Sequence, residues 1–239
     1  MEKDLTEKLK KFFFPKYRYK VEEELSKKKE GGLKSLLLSK WDGNPEIFMD
    51  YNEFGAYDCS SEIILHADAI LQLKEKGYEA VVGIKTAGIS YAKMFEMMGY
   101  SYSEIDYSFH KRKMEKPIME EEEILKLTNK KVILAEIDFI TGITLERVIK
   151  FLRDRKINVT GAYMGNDSWF GRPYKNEIEW IEESKLYWKS GKKGLRKLNN
   201  KFLYENERIP NDFEIYTFPE RWKMKNSIEK VSNYLDSFK

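Results

Sequence analysis

The sequence has a single cysteine, Cys59, in 239 residues, so no disulfide can form within the chain. That suits a reducing compartment, and a cytoplasmic location is expected. Only two histidines, His66 and His110, accompany it, and the material for a classical zinc site is missing. No apolar run approaches the roughly 20 residues of a membrane span. Residues 1–11 are charged throughout, which is not the pattern of a secretory leader. A large net charge is lacking too. The 43 basic and 40 acidic residues leave +3, which argues against nucleic acid as a partner. No internal repeat is visible.

What remains is a polar composition, 41% hydrophobic and 35% charged, on a length suited to one α/β domain with additions. The stretch around which the rest is organised begins at Lys130. Val132–Ala135 is a short apolar run that suits a strand buried on both faces of a parallel sheet. Glu136 and Asp138 stand where that strand would end, followed by Thr141, Gly142, Ile143 and Thr144. Leu145, Val148, Ile149 and Leu152 then repeat at helical spacing. In open α/β sheets ligands bind at the carboxyl ends of strands, beside helix N-termini.

The chemistry of such a turn follows from its residue types. Gly142 permits close backbone approach and unusual dihedrals. The first N–H groups of the helix, with its dipole, attract a phosphate, and Thr141 and Thr144 add hydroxyl donors. Carboxylates repel a phosphate and accept hydrogen bonds from a sugar diol. A ligand with a phosphate at one end and a diol nearby is a ribose 5-phosphate.

A second strand–turn–helix precedes it. Ala80–Ile84 is a buried-strand candidate that runs into Lys85, Thr86, Ala87 and Gly88, and then into a helix with Met94, Phe95 and Met98. The bland reading is an ordinary turn with Lys85 facing solvent. The other reading is a second anion site with a basic residue at its mouth.

Taken together, the two motifs resemble those of the type I phosphoribosyltransferases. In that family a hydrophobic strand leads to two adjacent acids and a Thr-Thr-Gly-x-Thr-like loop that holds the 5-phosphate of phosphoribosyl pyrophosphate. Aligned on Thr141, Gly142 and Thr144, Glu136 takes the place of the first acid. Ile137 falls on the second, and Asp138 comes one position late. The family's pyrophosphate loop commonly reads Gly-Ile-Pro-Arg-Gly-Gly-x-x-x-Ala, and here Gly83, Ile84, Gly88 and Ala92 remain. Lys85 and Thr86 replace the Pro-Arg pair, and Ala87 replaces the first glycine. The likeness covers about half the chain, residues 46–164, and is nearest to orotate-type members through a strand expected over Glu46–Tyr51.

The resemblance implies a twisted, mostly parallel sheet with helices on both faces. It implies transfer of ribose 5-phosphate from phosphoribosyl pyrophosphate to a nitrogenous base, with release of pyrophosphate and with Mg²⁺ held mainly by the ligand's own oxygens. Glu136 and Asp138 would act on the ribose, Thr141–Thr144 on the 5-phosphate, and Lys85–Gly88 on the pyrophosphate. Between the motifs the family carries a flexible hood, which would bring Lys111, Arg112 and Lys113 to the site. An alternative is a regulatory or binding protein that keeps the fold and binds phosphoribosyl pyrophosphate without turnover, favoured by the displaced acid and the altered pyrophosphate loop. A third reading is an unrelated α/β binder of another sugar phosphate.

The flanks are read from periodicity. Residues 1–45 form an N-terminal helical segment, with Leu5, Leu9, Phe12 and Phe13 as one stripe ending near Pro15. Residues 46–173 form the core. A helix capped by Ser60 or Ser61 runs to Gly77, and His66 within it is read as packed or surface, not catalytic. Glu120–Glu123 suits the exposed first turn of a helix. Lys156–Met164, with Ile157, Val159, Ala162 and Tyr163, is a strand candidate, and the loop from Gly165 to Pro173 is placed to line the acceptor pocket. Residues 174–239 form a mixed α/β extension, expected to be a cap or oligomer contact. Trp180–Trp188 is read as a helix, Phe213–Phe218 as a strand, and Ile228–Leu235 as a helix. Phe12–Phe14 is read as core before dimer contact, so a homodimer is carried as a secondary expectation.

Overall fold

The computed structural model describes residues 2–13, 59–85, 88–107, 114–136, 142–165, 187–191, 194–199 and 208–237. In chain order the elements are α1 (Glu2–Phe13), α2 (Cys59–Glu75), β1 (Ala80–Lys85), α3 (Gly88–Met97), β2 (Ser101–Asp106) and α4 (Glu121–Leu125). They continue with β3 (Lys131–Glu136), α5 (Ile143–Arg153), β4 (Asn158–Met164), β5 (Tyr187–Ser190), β6 (Arg196–Asn199), β7 (Glu214–Thr217), a 3₁₀ turn (Arg221–Lys223) and α6 (Met224–Asp236). The strand bearing Asp50, expected over Glu46–Tyr51, and Phe14 lie outside the described residues.

One seven-stranded sheet has the order β2-β1-β3-β4-β7-β6-β5. The strands from β2 to β7 in that order are parallel, and β6 and β5 add antiparallel. Alternation along the strands sends side chains into two layers. Val81, Ile133, Ala135, Tyr163 and Tyr216 face a layer built from α1, α2, α3 and α6. Val82, Ile84, Val132, Leu134 and Ile215 face the other, where α5 inserts Leu145, Val148, Ile149 and Leu152. Burying each such aliphatic side chain contributes about 1.5–3 kcal/mol. The expected α/β class, a mostly parallel sheet with helices on both faces, is what the chain adopts.

Two local expectations change. Helix α2 already begins at Cys59, so Ser60 and Ser61 lie inside it and not at its cap. Tyr187 and Trp188, read as helical, lie in β5. That strand pairs antiparallel with β6 across a turn holding Gly191 and Gly194, the latter at φ +95°. A tight return suits the β-preference of Tyr and Trp, and the ladder replaces intrahelical bonds.

The chain after residue 173 supplies three strands and the closing helix. Strand β7 pairs with β4 along Gly161–Met164. Helix α6 packs on α2 through a buried polar knot. The Asp68 carboxylate accepts from Ser227 Oγ (2.6 Å) and Gln72 Nε2 (3.0 Å), and Gln72 Oε1 accepts from the Leu195 N–H (3.2 Å). Lys230 stands 3.8 Å from Asp68 and 2.8 Å from Glu75. Removing one partner of such a knot strands a buried charge, which is costly. Among the described residues no helix is long and apolar enough to cross a membrane.

Candidate functional site

The strand order decides where a ligand could sit. From β1 the chain crosses to β2 on one side, and from β3 it crosses to β4 on the other. Helix α3, which makes the first crossing, lies in one layer, and α5, which makes the second, lies in the opposite one. The helices therefore diverge at the carboxyl ends of β1 and β3, which is the topological switch point where open sheets leave a crevice. Both candidate motifs end there.

Glycines hold the edges of that crevice together. A Cβ added at Gly88, the first residue of α3, would lie 2.0 Å from the Ala135 carbonyl oxygen and 3.1 Å from Glu136 Cα. The start of α3 therefore rests directly on the last residues of β3. A Cβ at Gly83 would meet the Ala92 Cβ at 2.9 Å, so the same helix also lies close along β1. On the other side the Gly165 N–H donates to the Glu136 carbonyl (2.9 Å). Gly165 leaves room for the Tyr91 ring, which a Cβ there would penetrate at 1.8 Å. The ends of β1, β3 and β4 thus meet around Glu136.

Helix α5 opens at Gly142, which has φ +77° and makes no side-chain cap. Its carbonyl accepts the first helical bond from the Glu146 N–H (2.9 Å). A left-handed position at Gly142 disfavours β-branched residues, and the first-turn N–H groups, with the positive end of the dipole, point toward the mouth of the helix as in any α-helix. Ile143 and Thr144 follow, both half-buried. Glu136 is half-buried at the end of β3.

Lys85 ends β1, and its ammonium pairs with Glu104 of β2 at 3.1 Å. Burial acts to raise the Glu104 carboxyl. Hydrogen bonds from Tyr102 and Lys85 outweigh it and hold that carboxyl below the usual range. Under the crevice, in the α2 and α3 layer, His66 is fully buried. Its Nδ1 lies 2.5 Å from the Tyr163 hydroxyl, and its ring packs on Phe218 and Tyr91 at 4.6 and 5.2 Å between centroids. Burial pushes its pKa down from 6.5 to about 3, so it is neutral, as a packed histidine should be.

Solved structures with a similar fold include adenine phosphoribosyltransferase from Rhodothermus marinus. It is 14% identical, with TM-score 0.38, and the match covers 73% of this chain and 80% of that one. Orotate phosphoribosyltransferase from Aeropyrum pernix is 14% identical, with TM-score 0.37, covering 73% and 77%. Purine phosphoribosyltransferase from Pyrococcus horikoshii is 20% identical, with TM-score 0.32, covering 46% and 76%. All three are phosphoribosyltransferases. No family model and no curated protein matches the sequence. Likeness at this level carries no functional weight.

Of the residues singled out in the sequence, Lys85, Gly88, Glu136, Gly142, Ile143 and Thr144 are described, and all stand on the carboxyl side of the parallel strands. Asp138, Thr141, Thr86 and Ala87 lie outside the described residues, as do Lys111, Arg112, Lys113 and the loop from Asn166 to Pro173. Sequence reading missed Glu104 as the partner of Lys85, and Tyr91 and Gly165 as the packed pair behind Glu136. A glycine just past a buried strand is the one signal that pointed to Gly165.

Proposed function

We propose that the protein is a phosphoribosyltransferase-type enzyme that moves ribose 5-phosphate from phosphoribosyl pyrophosphate to a nitrogenous base. The observation that carries this is the contact of Gly88 with Ala135 and Glu136, which joins the two motif-bearing loops at the switch point. In the proposed complex the mouth of α5, from Thr141 to Thr144, seats the 5-phosphate. Glu136, with Asp138, accepts from the ribose 2- and 3-hydroxyls. The turn from Lys85 to Gly88 holds the pyrophosphate, and Lys111–Lys113 close over it.

The chemistry is mostly electrostatic and positional. The C1–O bond breaks, and its electron pair leaves with pyrophosphate. Positive charge develops on the ribose ring while Glu136 stays close to it. The base nitrogen then forms the new bond to C1 and loses its proton. Among the described residues no three side chains of His, Cys, Asp or Glu come together to hold a metal. In this reading Mg²⁺ would be carried on phosphate and ribose oxygens, with Glu136 acting through the hydroxyls, and it would supply charge neutralisation of the leaving group.

The test is pyrophosphate release from phosphoribosyl pyrophosphate and Mg²⁺ in the presence of adenine, guanine, hypoxanthine, uracil or orotate, preceded by a thermal-shift screen. Turnover with one base is the expected result. A second reading, a binding or regulatory protein of the same ligand, is favoured by Ile137 at the second acid position and by the engagement of Lys85 with Glu104. Stabilisation by phosphoribosyl pyrophosphate without turnover of any base would select it.

A further inference from the structure

The turn from Lys85 to Gly88 carries one cation, the Lys85 ammonium. The sheet order places β2 on one side of β1 and β3 on the other. The turn ends on the β3 side, where Gly88 rests on Ala135 and Glu136. The ammonium is held on the opposite side, 3.1 Å from the Glu104 carboxylate of β2. Glu104 lies across from Gly83 in the register, two residues before Lys85. The pair therefore draws the cation back over β2 and away from the crevice between β1 and β3.

The carboxylate has a support of its own. The Tyr102 hydroxyl donates to its Oε1, while Lys85 pairs with its Oε2. Lys93, in the second turn of α3, stands 3.7 Å over the Tyr102 ring and pairs with Glu96 at 2.9 Å. Glu104 thus keeps a hydrogen-bond donor when the ammonium leaves. The side chains of Lys85 and Glu104 are 43% and 33% exposed, so water can solvate both groups once they part. An ion pair at that exposure is weak, and a ligand with several negative charges outcompetes one carboxylate for the cation.

We propose that Glu104 is a built-in competitor for the pyrophosphate group. It occupies the Lys85 ammonium in the unliganded protein, yields it when pyrophosphate arrives, and so weakens the hold on that group. In a transferase this contact favours release of the product pyrophosphate. The proposal rests on the reading of residues 85–88 as the pyrophosphate turn and adds a residue that neither motif contains.

The test is calorimetric titration of the full chain and of Glu104→Gln with inorganic pyrophosphate and Mg²⁺, and separately with ribose 5-phosphate. Glutamine keeps an acceptor for the Tyr102 hydroxyl at a part-exposed position, so the variant should melt as the wild type does. It should bind pyrophosphate roughly two- to fivefold more tightly, the range that an ion pair at this exposure is worth. Its affinity for ribose 5-phosphate should be unchanged. Equal or weaker binding of pyrophosphate by the variant would overturn the proposal and leave the function standing, since Glu104 would then be a bystander or a support for Lys85. Equal tightening of both ligands would also overturn it, because the effect would be one of general charge. If the wild type binds ribose 5-phosphate while neither protein binds pyrophosphate, the proposal falls and the phosphate seat stands. If the wild type binds neither ligand, the reading of function falls as well.

Discussion

His66 makes the stability of this protein depend on pH in a way that one substitution can isolate. The imidazole is buried against Tyr163, Tyr91 and Phe218, and its pKa falls from 6.5 to about 3. Above the ordinary value it is neutral in both the folded and the unfolded chain, so its contribution is flat. Below that value the unfolded chain takes up a proton that the folded chain refuses, and stability is lost as pH falls from about 6.5 toward about 3. The whole span amounts to about 5 kcal/mol, and the part lost between about pH 8 and pH 5 is about 2 kcal/mol. His66→Gln keeps a hydrogen-bonding group for the Tyr163 hydroxyl and removes the titration. Urea unfolding of both proteins at several pH values is the assay. The wild type should lose about 2 kcal/mol more than the variant on going to about pH 5. Parallel curves for the two proteins would refute the reasoning, because they would mean that the folded state accommodates the imidazolium.

Three further outcomes concern the crevice. Gly142→Val forces a β-branched residue into the left-handed region at φ +77° and should abolish the thermal stabilisation given by phosphoribosyl pyrophosphate. Glu136→Gln should lower kcat for base ribosylation at least tenfold while changing the affinity for ribose 5-phosphate less, as read by steady-state kinetics beside calorimetry. Gly88→Ala places a methyl 2.0 Å from a backbone oxygen that cannot rotate away, so unfolding experiments should show a loss of about 1–3 kcal/mol, with ligand affinity falling as the two loops part.

Much of the centre of the fold was legible because its elements have strong periods. Val132–Ala135 is buried without interruption, and Leu145, Val148, Ile149 and Leu152 fall on one helical face. The elements that escaped are those whose burial is partial. Strand β2, Ser-Tyr-Ser-Glu-Ile-Asp, is the outermost strand on its side of the sheet among the described residues, with only Ser103 and Ile105 buried, and it reads as loop. Tyr187 and Trp188 carry no period of their own, and their strand is defined by pairing with Lys197–Asn199. At the site, glycines within motifs could be noticed one at a time. What each touches could not, because Gly88 meets Ala135 and Gly165 meets Tyr91 across long stretches of chain.

The knot between Asp68 and Ser227 joins residues 159 positions apart. A nascent chain therefore carries its carboxylate through most of synthesis without the hydroxyl that will receive it, and with the outer edge of β4 still open to solvent. Until β7 emerges from the ribosome, that edge is a template for strands of other chains, and shelter by a chaperone would matter most in this interval.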